Sequence, residues 1–193
     1  MDKNLQSLRD YITQLATRPS FRHSGWFVKY HLEYVEALSL DLLNYYPEAN
    51  KDIVIAMCWM HDYGKIIDFD KQYDHVYIEQ SRRKMIELGL SESFAGTVSE
   101  NIKVLDSKVS IKDASIEVQI VSSADGCSHL VGPFSSLFWW ENPDMPFEDI
   151  MKENIRKQSV DWDQKVVLPE ARAAYAHLHE AAMNRASGVL LHI

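Results

Sequence analysis

The feature that most limits how this chain can fold is helical periodicity, which returns in one segment after another. Between positions 27 and 45, one side of a helix would collect Phe27, Tyr30, His31, Tyr34, Val35, Leu38 and Leu42. Residues spaced three and four apart lie on the same side of an α-helix. Pro47 cannot continue the segment as a helix. The pattern therefore predicts a helix over about 27–45 that carries His31 on its apolar side.

The same spacing and the usual helix stop signals recur along the rest of the chain. We predict further helices over 5–15, 53–61 (N-cap Asp52, end near Gly64), 77–88 (ending at Gly89), 94–105 (cap Ser91 or Ser93), 147–158 and 169–185 (ending at Gly188). Segment 115–131 contains an alternating portion that resembles a strand, but its helical surroundings favour a buried helix. We therefore predict an all-α fold and one helical domain over residues 1–193.

Composition narrows the classes of partner. The 193 residues are 46% hydrophobic, which is enough for one substantial core. A net charge of −8 disfavours general binding to nucleic acid or to an anionic membrane, since neither polyanion is attracted to a negative surface. The first residues lack the positively charged start and apolar run of a secretory signal, and no apolar stretch approaches the ~20 residues that cross a bilayer. We therefore expect a cytoplasmic protein that binds a small molecule.

The apolar stretches leave several polar and aromatic residues to be explained. Cys58 and Cys127 lack any CxxC spacing, so we interpret both as reduced core residues. Trp139 and Trp140 are assigned to core packing, because such side chains supply much of the buried area of a core, although a pocket wall is the alternative.

A histidine and an aspartate, His61 and Asp62, end the apolar run 53–60. Burying either side chain without a partner costs roughly 1–3 kcal/mol, so a hydrogen bond or a metal ion should compensate them. Taken alone, His31 is more often a hydrogen-bonded core histidine than a ligand. Asp125 taken alone could be an ordinary helix cap.

Together, however, these residues form a pattern. The stretches "HLEYVEAL", "HDYGK" and "SSADG" place His31, His61-Asp62 and Asp125 in an order that resembles the HD-domain metal-dependent phosphohydrolase superfamily. The resemblance covers about 27–130 and leaves an aromatic and helical extension over 131–193. It implies a single HD-type helical bundle in which His31, His61, Asp62 and Asp125 bind a metal ion.

The resemblance also implies a reaction, the hydrolysis of a phosphoester of a small phosphorylated metabolite, with a nucleotide as the expected substrate. Two imidazoles and two carboxylates suit one divalent ion such as Mn²⁺, Fe²⁺, Co²⁺, Ni²⁺ or Zn²⁺. Asp62 would also orient the attacking water, and Lys65 and His75 would contact the substrate phosphate. The alternative for Lys65 is a solvated loop charge, and for His75 a surface histidine.

Part of the family pattern is missing from this chain. Family members with two metals carry a further histidine on the next helix, but "TVSENIKVLDSK" has only Asn101 and Asp106 nearby. We therefore expect one ion and not the di-iron site of an oxygenase. Of the remaining histidines, His129 is the strongest candidate for a role in the site.

Two other classes of function remain open. The first is a non-catalytic HD-fold binding or regulatory module with a structural metal ion. The second is a plain helical scaffold in which the four residues are unrelated. The sequence does not determine the substrate, the identity of the metal or whether the chain forms a homodimer.

Overall fold

Helices account for most of the computed structural model, which describes residues 3–72, 74–107 and 110–188. They are α1 Lys3–Ala16, α2 Glu33–Leu42, α3 Lys51–Met60, α4 Tyr63–Ile67, α5 His75–Glu87, α6 Glu92–Asp106, α7 Ile116–Val131, α8 Phe134–Glu141, α9 Phe147–Val160 and α10 Pro169–Ser187. Short π-helical segments occupy Val28–Leu32 and Asp161–Lys165, and 3₁₀ turns occupy Phe69–Lys71 and Ile111–Asp113. No strand occurs in the described residues, so the all-α prediction is confirmed.

Two helices form the centre of the fold. Every residue of α3 from Ile53 to Met60 is buried, and so is every residue of α7 from Ile120 to His129. Helix α3 packs against α1, α2, α6 and α7, while α7 packs against α2, α10 and the Asp161–Lys165 segment. Apolar surface removed from water contributes about 25 cal/mol per Å². These two helices therefore anchor whatever polar groups they carry.

The start and end of α3 differ from the prediction. Asn50, not Asp52, is the N-cap, because the Asn50 side chain accepts hydrogen bonds from the backbone N–H groups of Asp52 and Ile53. Gly64 does not end the helix, since α3 ends at Met60 and Gly64 lies inside α4. A Cβ at Gly64 would lie 2.4 Å from the Gln72 carbonyl oxygen, so only glycine allows this close approach.

Several other predicted boundaries are confirmed. Ser91, rather than Ser93, caps α6 by accepting from the N–H of Phe94. Gly89 and Gly188 follow α5 and α10 with φ of 91° and 69°, the left-handed region that glycine enters at little cost. The 115–131 segment is the buried helix α7.

The two cysteines and the paired tryptophans meet different environments. Cys58 and Cys127 are buried and unpaired, as predicted, and burial raises the pKa of each thiol to about 12. Trp139 and Trp140, in contrast, are 54% and 68% exposed, so the core-packing prediction is wrong. Helix α8 instead turns Phe134 and Phe138 toward the interior cavity described below. Among the described residues, no helix is long and apolar enough to cross a membrane.

Candidate metal centre

The predicted ligands come from three elements that pack against one another. His31 lies in the π-helical segment Val28–Leu32 just before α2 and is 3% exposed. His61 is the C-cap of α3, Asp62 follows it, and Asp125 lies within α7. Widened π-helical turns are frequent at functional sites because they redirect one side chain.

The ligand atoms of these residues converge. The Nε2 atom of His31 lies 3.2 Å from Nε2 of His61 and 3.2 Å from Oδ2 of Asp62. The Asp62 oxygen is also 3.5 Å from Nε2 of His61, and these three ligand atoms form one group that could hold an ion. Oδ1 of Asp125 lies 3.8 Å from Nε2 of His31 and belongs to a second such group, with His31 and His129. The structure therefore places the other three predicted ligands around His31, in two groups that share this residue, and adds His129 to the second group.

Hydrogen bonds fix the orientation of both predicted histidine ligands. Nδ1 of His61 lies 2.9 Å from the Cys58 carbonyl oxygen and must donate its proton to it. The Ser128 hydroxyl donates to the Asp125 carbonyl oxygen at 2.7 Å, so its oxygen can accept from Nδ1 of His31 at 3.3 Å. In the neutral tautomer that carries its proton on Nδ1, each ring presents an unprotonated Nε2, the form that binds metal. Because two such nitrogens cannot hydrogen-bond each other, their 3.2 Å approach favours a cation between them.

The protonation states of Asp62, Asp125 and His31 also suit metal binding. Burial alone would raise the pKa of Asp62 and of Asp125, but the nearest lysines, Lys65 and Lys165, hold both well below the usual range. Burial lowers the pKa of His31 to about 4. At neutral pH the site therefore offers ionised carboxylates and a neutral imidazole, which are the protonation states that metal binding requires.

A second polar cluster lies directly beside these residues. It consists of His129 of α7, Lys157 of α9, and Asp161 and Lys165 of the following π-helical segment. Asp161 accepts from Nδ1 of His129 at 2.8 Å and from Nζ of Lys157 at 2.7 Å. Although burial opposes it, the His129 hydrogen bond together with Lys165 and Lys157 lowers the pKa of Asp161 to about 2. The ring of His129 lies nearly parallel to that of His31, with centroids 5.3 Å apart.

Sequence reasoning found only part of this cluster. His129 follows Asp125 by four positions, the spacing that puts two side chains on one face of a helix. Lys157, Asp161 and Lys165 were missed, because they lie outside the motif-bearing stretch and no local spacing links them to it.

Small residues of α7 explain how the Asp161–Lys165 segment reaches the site. The Ser122 hydroxyl donates to the Lys165 carbonyl oxygen at 3.1 Å, and the Ser123 hydroxyl accepts from the backbone of Val167 at 3.1 Å. A Cβ at Gly126 would lie 2.8 Å from the Val166 side chain. The "SSADG" stretch thus carries Asp125 and also docks the segment that bears Lys165.

These groups surround one cavity of about 570 Å³. Aromatic side chains line part of its wall: Trp26, Phe27, Phe69, Phe134 and Phe138. Among the described residues, the wall has five lysine or arginine side chains and five carboxylates: Arg22, Lys65, Arg156, Lys157 and Lys165, with Asp62, Asp106, Asp125, Glu141 and Asp161. The cavity is thus electrically balanced in a chain whose net charge is −8. A bound divalent cation would make it attractive to an anion.

Helix α8 closes one side of the cavity and is held at its last residue. The Glu141 carboxylate accepts from Nε1 of Trp26 at 2.6 Å and from Nδ1 of His23 at 2.8 Å. Burial lowers the pKa of His23 despite this carboxylate.

The predicted substrate contacts divide into two cases. Lys65 is part of the cavity wall, and its Nζ lies 2.6 Å from Oδ2 of Asp62. His75 is the first residue of α5, is exposed, and lies outside the described cavity wall, so its phosphate contact stays a prediction without geometric support. Asp106, noted for its position after the motif, does line the cavity, and burial and the Asp62 charge raise its pKa to about 6.

No family model, curated protein or solved structure matches this chain. Function must therefore be argued from the site itself.

Proposed function

We propose that this chain is a metal-dependent phosphohydrolase with an HD-type helical bundle, and that it hydrolyses a phosphoester of a small phosphorylated metabolite, with a nucleotide as the expected substrate. The observation that carries the proposal is the convergence of His31, His61, Asp62 and Asp125 on the wall of a cavity that also contains lysines. Residues lying far apart would have established the plain-scaffold alternative, whereas His31 lies 3.2 Å from His61 and 3.8 Å from Asp125.

The donor set fits one divalent transition ion. Two nitrogen and two oxygen donors, with their protons directed away or already lost, suit Mn²⁺, Fe²⁺, Co²⁺, Ni²⁺ or Zn²⁺ better than an all-oxygen Mg²⁺ cage. His31, His61, Asp62 and Asp125 would hold the ion. When bound, such an ion supplies Lewis acidity and lowers the pKa of a bound water.

The chain's own residues supply positioning and charge. Asp62, fixed at the end of a buried helix, would orient the attacking water with its carboxylate. Lys65 can neutralise the substrate phosphate from its position beside Asp62. The aromatic wall can exclude water and contact a planar base, since such rings offer large apolar faces.

Metal content tests the first half of the proposal. After equilibration with Mn²⁺ and desalting, mass spectrometry of the wild type should give about one ion per chain, and Asp62→Ala should lose it because a carboxylate ligand is removed. Asp52→Ala is the matched control: it removes a carboxylate from the other, exposed end of α3 and should keep the ion. Equal metal content in the wild type and in Asp62→Ala would contradict the assigned site.

Turnover tests the second half. The Mn²⁺-loaded protein should release phosphate or a nucleotide product from at least one member of a panel of nucleoside monophosphates, triphosphates and cyclic nucleotides. Asp62→Ala should abolish this release. A stoichiometric ion without any turnover would favour the alternative, a non-catalytic binding or regulatory module.

A further inference from the structure

We propose that Lys165 is a second phosphate-binding residue, the counterpart of Lys65 beside the other carboxylate of the metal centre. This inference rests on the proposed function, because it assigns a role toward the phosphate group of the substrate. It brings the C-terminal extension into the active site.

The first support is the matched arrangement of two lysine–aspartate pairs. Nζ of Lys65 lies 2.6 Å from Oδ2 of Asp62, and Nζ of Lys165 lies 2.6 Å from Oδ2 of Asp125. Both carboxylates also approach Nε2 of His31, at 3.2 and 3.8 Å. Each predicted carboxylate ligand thus has its own ammonium group, and both lysines line the same cavity.

The second support is what metal binding does to these pairs. A divalent ion that takes Asp125 as a ligand also takes much of its negative charge, which leaves the Lys165 ammonium short of a counter-charge. The other acid nearby, Asp161, lies 3.6 Å away and already accepts from Lys157 and His129. Asp161 is thus a shared and more distant partner, and an anion in the cavity would give Lys165 a close counter-charge of its own.

The third support is that the chain fixes the position of Lys165. Its carbonyl oxygen accepts from the Ser122 hydroxyl, and Gly126 leaves room for the segment against α7. The side chain is still 35% exposed, so its ammonium group can turn toward a ligand. Lys165 combines a fixed backbone with a side chain that reaches the cavity.

The test uses the full chain loaded with Mn²⁺ and inorganic phosphate as the probe. Isothermal titration calorimetry of phosphate should show roughly tenfold or more weaker binding to Lys165→Gln than to the wild type, because a charge-assisted contact is lost. Lys165→Arg keeps the charge and should retain most of the affinity. Lys152→Gln removes a 73% exposed lysine of α9 and should bind phosphate like the wild type.

Metal affinity separates phosphate binding from a structural role. Lys165→Gln should bind Mn²⁺ as tightly as the wild type or more tightly, since a competing cation leaves Asp125. Loss of Mn²⁺ together with phosphate would overturn the proposal and make Lys165 a structural partner of Asp125. Unchanged phosphate affinity in Lys165→Gln, or no phosphate binding by the wild type, would also overturn it.

The proposed function can fail independently of this result. Phosphate binding that depends on Lys165, without turnover of any ester, would support the Lys165 assignment and remove the hydrolase. Turnover of an ester together with phosphate binding that does not depend on Lys165 would support the hydrolase and remove the Lys165 assignment.

Discussion

Helices α3 and α8 look alike in sequence and behave differently in the fold. "KDIVIAMCWM" and "FSSLFWWE" are both strongly apolar, and both end near tryptophan. All residues of α3 from Ile53 to Met60 are buried, whereas none of the eight residues of α8 is. Trp59 is 4% exposed and Trp140 is 68% exposed.

Their neighbours explain the difference. Helix α3 is surrounded by α1, α2, α6 and α7, and the indole of Trp59 donates to the Glu36 carboxylate at 2.6 Å. Helix α8 packs against α7 and α9, borders the cavity, and leaves its tryptophans in solvent. Apolar composition therefore indicates burial only where other elements cover the helix on every side. In this molecule the covered helix holds His61 and Asp62, while the uncovered one forms a wall.

The largest expected effect on the free energy of unfolding comes from replacing the buried tryptophan of α3 with alanine, compared with the same replacement in α8. Trp59→Ala should lower the free energy of unfolding by about 3–5 kcal/mol, because a large buried side chain leaves a cavity. Trp140→Ala should change it by less than about 0.5 kcal/mol, the usual range for an exposed site. Urea denaturation measures both, and equal losses would break the distinction between the two helices.

Acid should destabilise the fold through His31, which lies beside the end of α3, more than through His23 beneath α8. The folded pKa of His31, about 4, is below its usual value near 6.5, so the unfolded chain binds more protons between these values. Stability contributed by neutral His31 is present above about pH 6.5 and is lost as the pH falls toward 4. Without metal, the wild type should lose roughly 2 kcal/mol from this group between pH 7 and pH 5.

Two histidine variants show where the acid sensitivity originates. His31→Asn should remove most of this pH dependence in urea titrations, while His23→Asn, beneath the end of α8, should remove less. The opposite order would place the acid-sensitive group at the wall.

The close packing of α7 against the segment that follows α9 can be tested by replacing Gly126 with alanine. Gly126→Ala should destabilise the fold by about 1–3 kcal/mol, since the new Cβ would meet the Val166 side chain at 2.8 Å. Gly96→Ala, in α6, meets nothing within 4 Å and should stabilise the fold by about 0.4–1 kcal/mol. Thermal or urea unfolding measures the change in the free energy of unfolding for both variants. A Gly126→Ala protein as stable as the wild type would show that the Asp161–Lys165 segment can move away from α7.

The smallest expected effect concerns the hydrogen bond that orients His31. Ser128→Ala removes the acceptor for Nδ1 and should weaken Mn²⁺ binding by about tenfold, as is typical when an outer partner of a metal ligand is lost. Ser99→Ala removes another buried hydroxyl, far from the ligands in sequence, and should leave metal affinity unchanged. Competition with a fluorescent chelator measures both affinities.

The sequence predicts well what depends on local spacing. The helix over 115–131, the Ser91 cap and the glycine ends of α5 and α10 all follow from periodicity and capping chemistry. The family resemblance predicted His31, His61, Asp62 and Asp125 as metal ligands; these residues lie on one cavity wall, and metal binding by them stays a prediction.

What the sequence does not predict depends on packing between distant segments. Asn50 takes the cap that Asp52 was expected to form, because the helix begins two residues earlier than predicted. Trp139 and Trp140 are exposed because no other element covers that side of α8 in the described structure. Lys165 reaches Asp125 only because α7 and the segment after α9 dock together, across 40 positions of the chain.

The pairing of each site carboxylate with a lysine has a consequence for how the protein is assembled. Lys65 and Lys165 act as internal counter-ions, so the two aspartates can be buried before any metal arrives. If the chain binds an ion as proposed, it would complete its fold first and acquire that ion afterwards, unlike small zinc domains that fold only around their metal. On that proposal, metal binding would be a step separate from folding, governed by which ion the surroundings supply.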